Sequence, residues 1–381
     1  MRIALLTSGR FFFLDLGREL AARGHDVRVY SLVPPYRTAR FGLPKQCNRW
    51  LGQYVVPQFA LTRLMKRGAA SRWADEHLVA ALDFVAARAI EPCDVLIALS
   101  GLAIESLDRV KRKYGAVTFL ERGSRHILSQ REILEASPGS DRVSKRSVYR
   151  ELLGYGLADY VGVPSTHVAE SFIERGFARD RLFQNPFGVS LDVFQPTPPP
   201  AAGSARTIIM TGAWSWRKGC DVLLKAWRML PGVRLLHVGP VGDLPLPTDP
   251  GFEHVDSVPQ GQLPEYYARA DVFALASREE GLALVQVQAL ACGLKLVCTT
   301  RTGGEDLQRG AAPGSVIAVP PDDPVALAEA LKKALAEPST PGVPRDRLGN
   351  ARADYSWAAY AARYESRMLQ ALEAQKAAGA Q

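Results

Sequence analysis

Short apolar runs alternate with amphipathic stretches along this chain, and each half begins on the same plan. Residues 3–6 read as a buried strand, 14–23 as a helix closed by Gly24, and 27–30 as the next strand. Residues 207–210, 221–229 and 234–238 repeat that order. Further strands are expected at 95–98, 117–120 and 160–163, and at 272–276 and 296–299 on either side of a helix at 284–291 that Gly293 ends. Strand and helix alternating in this way predict an α/β protein of two Rossmann-like, doubly wound parallel-sheet domains facing each other across a cleft.

The division between them is compositional. Residues 195–204, QPTPPPAAGS, suit neither helix nor strand. The expected organisation is an N-terminal domain over 1–190, a proline-rich linker over 191–205, a second domain over 206–354 and a C-terminal helix over 355–381. A helix at 324–336 is followed by a proline-rich turn, then by a helical run to about residue 375 in which Trp357, Tyr360 and Tyr364 recur at helical spacing as core contacts.

The richest segment runs from Ser277 to Leu307, SREEGLALVQVQALACGLKLVCTTRTGGEDL. It packs a carboxylate–glycine turn, a helix and a second glycine turn into one βαβ unit, so both loops emerge at the carboxyl edge of the sheet, where open α/β sheets bind ligands. Gly281, Gly303 and Gly304 let backbone amides approach an anion closely, and the helix starting near Leu284 directs its positive end to the same place. A diphosphate fits there without a metal. Glu279 and Glu280 offer acceptors to sugar hydroxyls, and Gln288 offers both a donor and an acceptor.

These residues resemble the signature of the family-four retaining glycosyltransferases of the GT-B fold. That signature is S-x-x-E-G-[FL]-[GA], a second Glu, A-x-A-x-G-x-P-V and a closing G-G-x-x-[DE]. The match takes in Ser277, Glu280, Gly281, Leu282, Ala283, Ala289, Ala291, Gly293, Gly303 and Gly304. The resemblance implies that Glu280 contacts the donor sugar, with the amides of Gly281 and 303–305, Glu305 included. It puts Gln288 on the ribose, where the family has Glu, and Lys295 where it has proline. The segment 210–224 resembles the family's G-R-x-x-x-x-K-G motif, with Gly212 in the glycine position. Lys218 is its lysine, which neutralises the leaving diphosphate. Its arginine is replaced by Ala213, and Arg217 is the candidate substitute cation, although neighbours in a helix do not face the same way.

In the N-terminal half the resemblance implies a donor and acceptor loop at Ser8–Phe12, of whose glycines only Gly9 is present, with Arg10 as a phosphate contact. The loop after the strand at 117–120 holds His126, expected beside the reacting sugar, with Arg122 and Ser124 as contacts to phosphate or acceptor. Asn185-Pro-Phe-Gly188 corresponds to the family's hinge. The implied reaction is transfer of a sugar from a nucleoside-diphosphate donor to a saccharide or lipid-linked hydroxyl acceptor, with retention and without metal or cofactor. Bacterial envelope polysaccharide or lipopolysaccharide synthesis is the pathway expected from family habit. Two alternatives stay open. One is a nucleotide-sugar epimerase of the same architecture. The other is a catalytically silent relative that binds a glycan or partner, suggested by Ala213, Gln288 and Phe12 at positions often polar in the family.

Composition narrows the setting. The chain has 381 residues, 47% of them hydrophobic, which supplies core for two ordinary domains. No apolar run approaches the roughly 20 residues of a membrane span, and residues 1–7 lack the length and cleavage pattern of a signal peptide, so a cytoplasmic protein is expected. The five cysteines lack metal-ligand or disulfide spacing. The net charge of +8 is uneven, with 28 Lys and Arg against 19 Asp and Glu in residues 1–191 and 19 against 20 thereafter. Clusters at Arg63/Lys66/Arg67/Arg72 beside Trp50, Phe59 and Trp73, at Lys111–Lys113, and at Arg142/Lys145/Arg146/Arg150 suit anionic lipid headgroups at the inner face of a membrane or a lipid-linked phosphate. No nucleic-acid recognition motif accompanies them.

Overall fold

The computed structural model describes residues 1–65, 68–136, 143–201, 203–336 and 342–379. Thirteen strands are present among them, in two wholly parallel sheets. The first holds β1 (Arg2–Thr7), β2 (Asp26–Ser31), β3 (Asn48–Trp50), β4 (Val95–Leu99), β5 (Val117–Glu121), β6 (Tyr160–Val163) and β7 (Leu182–Gln184), in spatial order 3-2-1-4-5-6-7. The second holds β8 (Thr207–Thr211), β9 (Arg234–Val238), β10 (Phe252–Val255), β11 (Val272–Leu275), β12 (Lys295–Thr299) and β13 (Val316–Val319), in order 10-9-8-11-12-13. Each is doubly wound, and the order reverses between β1 and β4 and again between β8 and β11. The loops leaving the carboxyl ends of those pairs bound a crevice in each domain.

The central strands are buried along almost their whole length, as a sheet covered by helices on both faces requires. That is why their apolar runs were legible. The strands β3, β7, β10 and β13 were not read from the pattern. They are three or four residues long, lie at the sheet edges and are largely half-buried, so NRW, LFQ and FEHV carry no continuous apolar signal, whereas VIAV is apolar throughout but only four residues long.

Two segments join the domains side by side. Val189 N–H donates to the Tyr355 carbonyl at 2.8 Å, and a Cβ on Gly188 would stand 2.7 Å from the Trp357 nitrogen. Glycine at 188 is therefore demanded by the close passage of the second crossover. The helix Trp357–Gly379 then lies on the N-terminal domain. Tyr360 meets Phe12 edge-on at 5.8 Å, Tyr364 meets Phe119 at the same distance, and Glu365 pairs with Arg23 and with His25. One hydrophobic cluster consequently runs from Leu5 and Phe12 through Phe187 and Tyr360 into the core of the second domain. All five cysteines are buried free thiols.

One polar group lies within this interface. Glu121, at the end of β5, is buried beneath the crossing helix, with the Tyr360 hydroxyl at 3.4 Å from its Oε2 and with Oε1 lacking a hydrogen-bond partner among the described residues. Burial pushes its carboxyl up to about 8, against a weaker opposing pull from Tyr360. An acid whose pKa is raised by folding contributes most when protonated, so stability falls as pH rises from the ordinary carboxylate value toward about 8. Glu121→Gln is expected to raise the melting temperature relative to wild type by more at about pH 9 than at about pH 5. Equal differences at the two pH values would contradict a buried, proton-holding carboxyl.

Candidate functional site

The switch point between β8 and β11 gathers the charged residues. After β8 the chain turns through 212–219 before the helix Cys220–Arg228. Gly219 takes φ +65°, and a Cβ there would lie 2.0 Å from the Ala276 carbonyl, so the turn seats on the end of β11. Arg278 fastens the two loops. It is bidentate to Asp221 at 2.7 and 2.8 Å, reaches Asp322 at 2.6 Å and stacks on Trp216 at 4.1 Å. Sequence reasoning passed over Arg278, because only its partners reveal the brace.

Held this way, Arg217 and Lys218 converge on one oxygen. Lys218 Nζ lies 2.5 Å, and Arg217 Nη1 2.8 Å, from Glu280 Oε1. The expectation that neighbours would diverge fails here because both precede the helix, in a turn where the helical 100° step does not apply. Burial pushes the Glu280 carboxyl up, but Lys218 and Arg217 outweigh it and hold the group below the ordinary carboxylate range. Gly212, at φ +126°, opens space beside the Lys218 side chain; its own Cβ would sit 3.6 Å from Lys218 Cε.

Glu279 points elsewhere. Its carboxylate is fully buried and accepts hydrogen bonds from Ser124 Oγ and, at 3.2 Å, from Gln130 Nε2, both in the N-terminal domain. Its Oε2 lies 3.5 Å from Arg217 Nη1. The neighbouring loops interlock across the same seam. Ser165 Oγ donates to the Gly281 carbonyl at 2.8 Å, and His167 Nε2 stands 2.9 Å from the Glu280 carbonyl. Asp306 accepts from Thr166 N–H at 2.6 Å and from its hydroxyl at 2.5 Å. These N-terminal partners were not anticipated, although a polar Ser-Thr-His run directly after a predicted strand was the available signal.

Gln288 is buried in the helix Leu284–Ala291, and its Oε1 has no hydrogen-bond partner among the described residues. Such an acceptor costs free energy unless a donor reaches it. Leu282 and Ala283 are buried. Gly303, at φ +72°, begins the short helix Gly304–Leu307, and a Cβ on Gly304 would strike Cys298 Sγ at 2.4 Å. Glu305 is exposed on that turn.

The N-terminal candidates make other contacts. The His126 ring packs at 5.1 Å from Tyr155 and 5.0 Å from Phe172, and its Nδ1 accepts from Leu128 N–H as the cap of the helix Ile127–Glu135. Burial lowers its pKa to about 4, so the ring is neutral and turned into the domain core rather than toward Glu280. Arg122 is likewise engaged, by Glu151 at 2.8 Å, Gln130 at 2.6 Å and the Arg125 carbonyl at 3.0 Å, which leaves a phosphate no open edge of the guanidinium. Arg10 donates to Gln260 of the second domain at 2.8 Å and stacks on Phe41, within an interdomain cavity of about 750 Å³ that also borders Asp15, Arg18 and Asp192. Gly9 bonds only locally, with Thr7 Oγ1 3.3 Å from its amide. Among the described residues no three His, Cys, Asp or Glu side chains gather as metal ligands would.

Two cations sharing one carboxylate at the crevice make an anion site with a built-in counter-ion. Glu280→Gln leaves Arg217 and Lys218 without it, and roughly 2–4 kcal/mol of stability is expected to be lost. Added pyrophosphate is expected to restore more of the melting temperature in this variant than it adds to wild type. An unchanged melting temperature with no differential effect of pyrophosphate would contradict the assignment.

Residues 205–337 match the family model described as Glycosyl transferases group 1. A D-inositol 3-phosphate glycosyltransferase from Xylanimonas cellulosilytica is 27% identical over 241 residues, 56% of this chain and 57% of that protein. A GDP-mannose-dependent alpha-(1-6)-phosphatidylinositol monomannoside mannosyltransferase from Mycolicibacterium smegmatis is 29% identical over 187 residues, 42% of this chain and 49% of that one. The matched stretches thus span about half the length of these relatives. Among solved structures, sucrose-phosphate synthase from Thermosynechococcus elongatus superposes with a TM-score of 0.71 at 20% identity, covering 98% of this chain and 99% of that one. Anabaena HepE in complex with UDP-glucose gives 0.64 at 13% identity, covering 98% and 99%. The second domain of this chain is thus similar to the glycosyl transferases group 1 family, and the molecule has the GT-B fold.

Proposed function

We propose that this protein is a glycosyltransferase that moves a sugar from a nucleoside-diphosphate sugar to a hydroxyl acceptor, with retention and without a metal. The observation that carries the reading is the convergence of Arg217 and Lys218 on Glu280 at the crevice of the second domain. Breaking the glycosidic bond builds negative charge on the departing diphosphate, and two preorganised cations in a water-poor site lower the barrier to that step. Lys218 and Arg217 hold the diphosphate, Arg217 standing in for the arginine missing at Ala213. Glu280 and the amides of Gly281 and 303–305 take the sugar, and Gln288 takes the ribose through its unpartnered oxygen. His126 has no place in this scheme.

For the acceptor, the names of the relatives favour an inositol-type polyol bearing a phosphate or a phosphatidyl group; the setting in envelope polysaccharide synthesis rests on the family resemblance alone. Among the described residues no helix is long and apolar enough to cross a membrane. The helix Val56–Leu64 buries none of its side chains, and exposes Val56 and Leu64 near exposed Tyr54 and Trp73. That apolar face, beside Arg63 and Arg72, supports peripheral docking on an anionic membrane from the cytoplasmic side. Lys66, Arg67 and Arg142 of the basic clusters lie outside the described residues.

The test is release of nucleoside diphosphate from UDP-, GDP-, ADP- and dTDP-sugars in EDTA, with D-inositol 3-phosphate or a phosphatidylinositol-containing extract as acceptor. One donor is expected to react, with Lys218→Ala slowing turnover by about 10²–10³ and proton NMR of the product showing the anomeric configuration kept. No turnover from any donor, or full activity in Lys218→Ala, would overturn the reading.

A further inference from the structure

Glu279 sits beside Glu280 in sequence, yet its carboxylate is fully buried and committed to partners in the other domain. A sugar hydroxyl has no access to such a group. Its partners are themselves fixed. Gln130 Oε1 accepts from Arg122 Nη2 at 2.6 Å, which orients the amide so that Nε2 faces Glu279 Oε2. Arg122 is in turn paired at 2.8 Å with Glu151, which also accepts from Ser100 at the carboxyl end of β4. A chain of hydrogen bonds therefore runs from the crevice of the N-terminal domain to Glu279, and ends beside Arg217.

Arg217 faces two carboxylates. It lies 2.8 Å from Glu280 Oε1 but 3.5 Å from Glu279 Oε2, the same oxygen that Gln130 occupies at 3.2 Å. Two buried carboxylates compete for one guanidinium, and the loser is the one whose charge is already dispersed over Ser124 and Gln130. Those donors belong to the other domain, so they reach Glu279 only when the two domains are seated together. With the domains apart, Glu279 lacks those donors and draws Arg217 away from the diphosphate site.

We propose that Glu279 is a positioning residue that couples domain closure to catalysis. Ser124 and Gln130 occupy its acceptor oxygens on closure and so leave Arg217 to the diphosphate. The coupling rests on the transferase reading above, which makes Arg217 a diphosphate ligand, and it assigns Glu279 a role other than the sugar contact expected from sequence. It also explains how a domain that does not hold the donor controls the cation that does. Water is thereby denied a fully armed site before the acceptor domain arrives.

The test uses inorganic pyrophosphate as the probe, titrated calorimetrically into the full chain. Gln130→Leu, a change outside the proposed diphosphate site, is expected to weaken binding about five- to tenfold. Glu279→Gln removes the competitor, so it is expected to tighten binding and to erase the effect of Gln130→Leu in the double variant. Ser124→Ala is expected to repeat the Gln130 result in milder form, with melting temperatures checking that each variant is folded. A merely structural Glu279 predicts losses of the same sign in every variant. Binding by Gln130→Leu within twofold of wild type, or equal losses with and without Glu279, would overturn the coupling. Failure of wild type to bind pyrophosphate would overturn both the coupling and the diphosphate site. If the cycle holds but no sugar nucleotide is turned over, the transferase reading alone falls.

Discussion

The two domains meet backbone to backbone. A Cβ on Gly281 would stand 2.0 Å from the Gly123 carbonyl, closer than any side chain tolerates. Everything at the seam depends on that approach. With the loops this near, Ser124 and Gln130 reach Glu279, Ser165 reaches the Gly281 carbonyl, and Thr166 and Asp306 join. Gly303 serves the same end, since its Cβ would fall 2.6 Å from the Gly281 carbonyl and 3.0 Å from Ser165. The glycines of the donor loops thus have a second reason to be glycine beyond the approach of backbone amides to an anion. One residue type satisfies two constraints, access for a phosphate and contact with the facing domain.

The parallel sheets decide which chemistry meets at that seam. In both domains every strand runs the same way, so every strand end delivers its loop to the same edge. The reversal between β8 and β11 places the turn carrying Arg217 and Lys218 next to the turn carrying Glu279 and Glu280, although some sixty residues separate them in sequence. Adjacent carboxylates diverge at the bend through 278–279. Glu280 faces its own domain's cations, whereas Glu279 faces the other domain. Arg278, between the loops and the helix Cys220–Arg228, fixes the geometry on which both depend.

This anatomy explains what the sequence disclosed. Strands buried on both faces, such as VFAL at β11 and TIIMT at β8, announce themselves through unbroken apolar runs. The helix Leu284–Ala291 and its glycine stop were readable to the residue, because the start, the period and the break are all local. The edge strands were not, since half-burial leaves NRW or LFQ without a pattern. Site residues divide along the same line. Lys218 and Glu280 stand at fixed offsets from local glycine turns, whereas Gln130, Thr166 and Arg278 act through partners that only the tertiary structure supplies. His126 shows the opposite case: its position after β5 matches the family loop, but its ring packs against Tyr155 and Phe172. Register along a strand is legible in sequence, and side-chain direction in the loop beyond it is not.

The central claim is that the crevice of the second domain binds a nucleoside diphosphate through protein cations alone. The most direct measurement is calorimetric titration of the protein with UDP, GDP, ADP and dTDP in EDTA, repeated with Lys218→Ala. The account predicts saturable, metal-independent binding of one of the four, unchanged when Mg²⁺ replaces EDTA and lost in the variant. Binding of none of them, or binding that requires Mg²⁺ and survives loss of Lys218, would contradict it.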